Sequence, residues 1–189
     1  MNLKGYLLCF ILLSFFSLAG SETMKNVLLV CASFNGTTNE IAVRIKDVLE
    51  KEGCQVTLTT AKAESLNVTQ YDFIVLGSAI HGDNPHSDIL KFVDDNRIAL
   101  KNKPVAVFAA CATIASSKES RRNHALVYPD KVANGLNPVA KTVFAGNIKS
   151  AGWLVNLIGA WILGVKPGDY RDWNKIDAWS KSLVTIFAK

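Results

Sequence analysis

Ser33-Phe34-Asn35-Gly36-Thr37-Thr38 is the segment of this chain densest in groups that could do chemistry: three hydroxyls, one amide and one glycine in a row of six. It lies between an apolar run, Val27 to Ala32, and a stretch with Ile41, Ile45, Val48 and Leu49 at helical spacing. That order reads as strand, turn and helix N-terminus. The N–H groups of a first helical turn attract an anion, and Gly36 can take the positive φ that such a turn needs. No lysine or arginine lies in the loop. Neutral donors would hold the anion, which suits a monophosphate such as FMN better than a nucleoside triphosphate, whose sites recruit a P-loop lysine and Mg²⁺. The same letters also make a plain capped helix after a strand, and the loop alone leaves both readings open.

Three other chemistries fail on the letters. A dinucleotide fingerprint needs G-x-G-x-x-G, and this loop has a single glycine. A P-loop needs G-K-[ST], but Gly36 is followed by Thr37 and Thr38. A small cysteine-dependent phosphatase would use Cys31 with an arginine six residues on, and that position is Thr37. Cys31 therefore reads as a small buried strand residue. Cys31, Cys54 and Cys111 form no C-x-x-C, which argues against a disulfide framework and for a reducing compartment. No metal site is expected.

The elements that must position the loop alternate. Strands are expected at Asn26 to Ala32, Gln55 to Thr60, Phe73 to Gly77, Pro104 to Ala110 and Thr142 to Ala145. Helices are expected from about Thr38 to Glu52, Ser87 to Asn96 and Lys118 to Asn134, with a last one capped by Asp172 that turns Trp173, Ile176, Trp179, Val184 and Phe187 to one face. Right-handed crossovers would fold five such strands as a doubly wound parallel α/β sheet in a three-layer sandwich. Ligands of such sheets bind at the carboxyl ends of the strands. Three loops fall there: Ser33 to Thr38; Ser78-Ala79-Ile80-His81-Gly82 and on to His86; and Ala110-Cys111-Ala112-Thr113. His81 and His86 are the histidines near that crevice and the candidates for a catalytic role, whereas His124, beside Arg121 and Arg122, reads as solvated.

Residues 1–23 hold Lys4 and an apolar run from Gly5 to Ala19, the pattern of a signal peptide or short signal anchor. Its use would make the protein exported or inner-membrane-associated; a start at Met24 would make it cytoplasmic. Roughly 165 residues remain, enough for one domain over 24–189. Charge divides unevenly. Residues 24–95 carry six Lys/Arg against ten Asp/Glu, and residues 96–189 carry fourteen against five. A basic half suits anionic lipid or a carboxylate-bearing substrate, and no nucleic-acid motif accompanies it. Trp153 to Gly164 is apolar almost throughout and too short to span a bilayer. With Lys149 and Lys166 beside its tryptophans, it reads as an interfacial element or as core.

At this point the chain resembles the flavodoxin superfamily and, within it, the menaquinone-dependent protoporphyrinogen dehydrogenases. Ser33 to Thr38 is similar to the [ST]-x-[DN]-G-x-T phosphate loop. Tyr71-Asp72, Gly77-Ser78-Ala79-Ile80, His86-Ser87 and the long insertion at 147–171 are similar to features of the subgroup. The resemblance implies a flavodoxin-like five-stranded sheet in the order 2-1-3-4-5 and FMN as cofactor. It implies that Ser33, Phe34, Asn35, Gly36, Thr37 and Thr38 bind at the phosphate, and that Ser78, Ala79, Ile80, His81, Gly82, Ala110, Cys111 and Ala112 lie by the ring. It further implies two-electron oxidation of a hydrophobic reduced substrate such as a porphyrinogen, with a quinone as acceptor and a membrane surface as setting. The loop after the third strand lacks the family's stacking tyrosine or tryptophan, which implies a flavin ring packed by His81 and backbone, or held less tightly. A non-enzymatic electron carrier, and a flavodoxin fold without flavin, are the other functions compatible with these residues.

Overall fold

Alternation of side chains across the sheet explains why its three central strands are almost wholly apolar: both of their faces are covered. In the computed structural model, which describes residues 24–63, 66–149, 152, 157 and 164–187, β1 (Asn26–Ala32) sends Leu28 and Val30 into one core and Val27, Leu29 and Cys31 into the other. The same split recurs in β3 (Phe73–His81) and β5 (Val105–Cys111). With β2 (Gln55–Thr60) and β6 (Ala140–Ala145) they form a parallel sheet in the order β2-β1-β3-β5-β6. A short β4 (Asn84–Pro85) pairs antiparallel with β3. Counted without β4, this is the expected 2-1-3-4-5 order of a doubly wound sheet.

Helices cover both faces and complete three layers. On one side lie α1 (Thr37–Lys51) and the last helix, Trp173–Phe187, with Ile41, Ile45, Leu49, Ile176, Leu183 and Phe187 buried against the sheet. Arg44 joins these two helices by a bidentate pair to Asp177, at 2.7 and 2.6 Å. Across the sheet lie α2 (Ser87–Asp95), α3 (Arg97–Lys101), α4 (Glu119–Ala125) and α5 (Tyr128–Ala133). The last helix is α6. Gly77 stands opposite Phe108 on β5, and a Cβ there would lie 2.2 Å from Phe108 Cζ. The missing side chain thus makes room for the buried ring.

The structure departs from the sequence expectations at several edges. The single polar helix over Lys118 to Asn134 is two helices, because Pro129 opens a new one at α5. The stretch after Gly77 is not all loop: β3 continues to His81 and turns back through Gly82 (φ 55) and Asp83 (φ 64) into β4. Positive φ at both central residues is the requirement of a tight hairpin whose twist matches its strands. Trp173 leaves the predicted buried face and covers Arg171, whose Cζ sits 4.7 Å from its ring centroid. After β6, β7 (Asn147–Ile148) pairs antiparallel with β8 (Gly168–Asp169), so the chain departs and returns at one place. Residues 1–23 and most of Trp153 to Gly164 lie outside the described residues, and no helix among those described is long and apolar enough to cross a membrane.

Candidate functional site

A cleft of about 390 Å³ opens at the carboxyl ends of β1, β3, β5 and β6. Its position follows from the topology, since the connections of β1 and β3 leave toward opposite ends of the sheet and part their loops. Ser33, Phe34, Asn35, Thr37 and Thr38 form one wall, with Ala79, Ile80 and His81 facing them, and Ala110, Cys111 and Ala112 form the floor. A fourth wall, Gly146 to Lys149, was not foreseen as part of the site. Its one signal in the sequence was its place directly after the last strand.

The Ser33–Thr38 wall leads into the uncapped N-terminus of α1. Gly36 is the N-cap of α1 with φ 88, and it provides no side-chain cap. The first N–H groups of α1 have no intrahelical acceptor, while its dipole adds positive potential there. Within the turn, Gly36 N–H donates to Ser33 Oγ at 3.0 Å and Glu40 N–H to Gly36 O at 3.0 Å. Ser33 Oγ thus accepts locally and keeps its own hydrogen. Thr37 Oγ1 lies 3.5 Å from Asn147 O, which brings the fourth wall onto the turn. Gly146 permits that approach, because a Cβ on it would stand 3.1 Å from Thr37 Cγ2.

Not every predicted residue lines the cleft. Gly36 serves through its backbone conformation. Ser78 is fully buried and closes the hairpin: its Oγ donates to Ala79 O at 2.9 Å and accepts from His86 N–H at 3.0 Å. Gly82 sits at the hairpin tip. His86 caps α2, its Nδ1 accepting from Asp88 N–H at 3.2 Å, and packs its ring 4.2 Å from that of Phe34. His81 approaches Phe34 from across the cleft at 5.7 Å. Phe34, contributed by the phosphate turn, therefore gathers both histidines around an aromatic ring that is 52% exposed.

Behind the His81 wall lies a polar network. Asp83, at the hairpin tip, accepts a hydrogen bond from Tyr128 Oη at its carboxylate, and its carbonyl oxygen accepts from Lys131 Nζ at 2.8 Å. His124 is exposed, as the sequence suggests, and also has partners: its Nε2 lies 3.7 Å from Asp83 Oδ2 and its ring packs edge-on against Tyr128. The bond from Tyr128 holds the Asp83 carboxyl below its ordinary range, and burial, aided by Asp83, pushes the Tyr128 hydroxyl up to about 12. Burial likewise pushes the Cys31 and Cys111 thiols up to about 11. Both are protonated near neutral pH, so neither is an activated nucleophile. The described residues contain no cluster able to hold a metal ion.

A parallel sheet with a neutral-donor anion turn and an open cleft at its switch point defines an α/β protein of the kind that binds a phosphorylated planar cofactor. The sequence profile of the Flavodoxin domain matches residues 28–153, and the chain belongs to that family. FMN is accordingly its cofactor, and the donor set fits: hydroxyls, an amide and free helix-end N–H groups without a lysine. Among solved structures, oxidised Flavodoxin 1 from Bacillus cereus superposes with a TM-score of 0.53 at 22% identity over 85% of this chain and 97% of that one. A flavodoxin from Streptococcus pneumoniae TIGR4 gives 0.53 at 15% identity over 85% and 99%. Rubredoxin oxygen:oxidoreductase from Desulfovibrio gigas gives 0.57 at 13% identity, covering 86% of this chain but 36% of that larger protein. At these identities the likeness concerns the fold. No curated protein sequence matches the chain.

Proposed function

We propose that this flavodoxin-domain protein is an FMN-dependent oxidoreductase that takes electrons from a hydrophobic reduced substrate, of the porphyrinogen class, and passes them to a quinone at a membrane surface. The observation that carries this reading is the fourth wall. Gly146 to Lys149 borders the cleft and β7 pairs back with β8, and in the sequence the apolar run Trp153 to Gly164 lies between those two strands. A carrier that only docks and leaves has no use for such an attachment, whereas an apolar substrate with carboxylates needs greasy cover and a cation, and Lys149 stands at the rim.

Bound FMN supplies the two-electron chemistry, and the protein supplies binding, orientation and exclusion of water. Ser33, Asn35, Thr37 and Thr38 would hold the phosphate by neutral hydrogen bonds, Ile80, His81 and Ala112 would lie by the ring, and Lys149 would pair with a substrate carboxylate. No side chain acts as nucleophile. A second reading, a one-partner electron carrier, is favoured by the half-exposed Phe34 at the mouth, which leaves that edge open to a docking protein.

The test is anaerobic turnover of a porphyrinogen with a menaquinone analogue, using FMN-loaded protein with and without Leu157→Ser and Ile158→Ser. We expect quinone-coupled turnover and liposome binding to fall about tenfold or more with the flavin spectrum unchanged, about 1.4 kcal/mol for each factor of ten. Wild-type protein that takes up FMN but turns over no porphyrinogen returns the carrier reading to first place. Wild-type protein that binds no FMN leaves a fold that acts by protein contact.

A further inference from the structure

The phosphate turn carries no cation, yet it has a carboxylate on its doorstep. Glu40 lies in the first turn of α1, and its Oε1 sits 4.0 Å from the point where a Cβ on Gly36 would stand. The helix dipole favours that anion for the same reason that it favours a phosphate, so the two compete for one field. Arg171, 131 residues further along the chain, reaches this spot: its Nη1 donates to Glu40 Oε2. The guanidinium is fixed on its other edge by Asp169, with Nε to Oδ1 at 2.8 Å and Nη2 to Oδ2 at 2.6 Å, and it stacks on Trp173. With only 9% of its side chain exposed, Arg171 is a built element of this end of the molecule and no mobile surface charge. Asp169 pairs in β8 opposite Asn147, the residue whose carbonyl meets Thr37. Arg171 thus meets Glu40 directly and is linked to Thr37 through Asp169 and Asn147.

We propose that Arg171 is a positioning and specificity-determining residue for the phosphate end of the cleft, neutralising Glu40 so that a turn of neutral donors accepts a phosphate monoester. The inference rests on the reading of the cleft as the FMN site. Without the guanidinium, Glu40 and Asp169 stand unbalanced beside the turn, and a ligand carrying a phosphate suffers where the same ligand without one does not. Arg171 does not touch the phosphate in this account. It acts through Glu40.

Comparing FMN with riboflavin, which has the ring system and no phosphate, isolates the effect. Fluorescence quenching would give dissociation constants for both flavins with wild type, R171M, R171K, E40Q and the E40Q/R171M pair, at low and high salt. We expect R171M to weaken FMN tenfold or more and riboflavin by less than twofold, with R171K between R171M and wild type because it keeps the charge but not the fork to Asp169, and E40Q restoring most of the loss in R171M. The loss should shrink at high salt, as screened charges do. E40Q alone removes no cation and should strengthen FMN several-fold over riboflavin, which decides the matter if R171M does not fold. Equal effects on both flavins in R171M together with an unchanged preference in E40Q would overturn the proposal. Wild-type protein that binds riboflavin and FMN equally overturns it too, and wild type that binds neither overturns the reading of the cleft and this inference with it.

Discussion

The turn from Ser33 to Gly36 is closed by bonds that reach three and four residues along the chain, whereas the hairpin from His81 to Asn84 is held by Tyr128 and Lys131, 45 and 48 residues away. These are the two opposed walls of one cleft. One is locally determined and lines the cleft with Ser33, Phe34 and Asn35. The other spends its polar groups on tertiary contacts and presents backbone, Ile80 and His81 to the ligand. Ligand affinity should therefore be most sensitive to the first wall, and fold stability to the second.

The largest effect expected from that contrast is on FMN. Replacing Thr37 and Thr38 with alanine removes two charge-assisted hydrogen bonds of about 1.5 to 3 kcal/mol each and should weaken FMN a hundredfold or more. Urea unfolding of the apoprotein should move by less than about 1 kcal/mol, since no large apolar group is lost. The opposite profile is expected for Tyr128→Phe. It should cost about 1 to 2 kcal/mol of stability through loss of a bond to a carboxylate, while FMN weakens only a few-fold through a looser Ile80–His81 wall. Equal ratios of affinity loss to stability loss in the two variants would break the comparison.

The contrast also explains what was legible in the sequence. Alternating apolar runs and helical stripes announced the layers, because burial on both faces of the sheet leaves no freedom in those letters. The turn between β1 and α1 was legible for the same local reason, down to the positive φ of Gly36. Arg171 meeting Glu40, Tyr128 meeting Asp83 and Gly146 meeting Thr37 were not legible, because each joins residues that only the folded topology brings together. Phe34 was named as a site residue, but its partnership with His86 depends on the hairpin that the strand expectation cut short at Gly77.

Two glycines sharpen the point at a smaller scale. Gly36 (φ 88) and Gly82 (φ 55) both occupy left-handed backbone with nothing crowding closer than 4.0 Å. Alanine at either should cost about 1 to 2 kcal/mol of stability from backbone strain. The stability losses should match, but Gly36→Ala should also weaken FMN at least tenfold by displacing the first N–H groups of α1, whereas Gly82→Ala should change it little. Thermal unfolding and flavin titration of the same preparations would check both.

The smallest effect concerns pH and belongs to the hairpin wall. Asp83 has a folded pKa below its unfolded value of about 3.9, so its contribution is present above that value and is lost as pH falls through the folded one. Tyr128 has a folded value of about 12, above an unfolded value of about 10, so its contribution is present below pH 10 and fades as pH climbs toward 12. The acid limb traces chiefly to the bond between these side chains, and the alkaline limb chiefly to burial of the Tyr128 hydroxyl, with that bond second. The Asp83 side chain is 51% exposed, so solvent screening keeps its share under about 1 kcal/mol. The stability gap between wild type and Tyr128→Phe, measured by urea unfolding from pH 2 to 11, should be widest from about pH 5 to 9 and narrow at both ends. A gap that stays constant across that range would show that the hairpin is held by Lys131 and packing, and that the Asp83–Tyr128 bond is incidental to it.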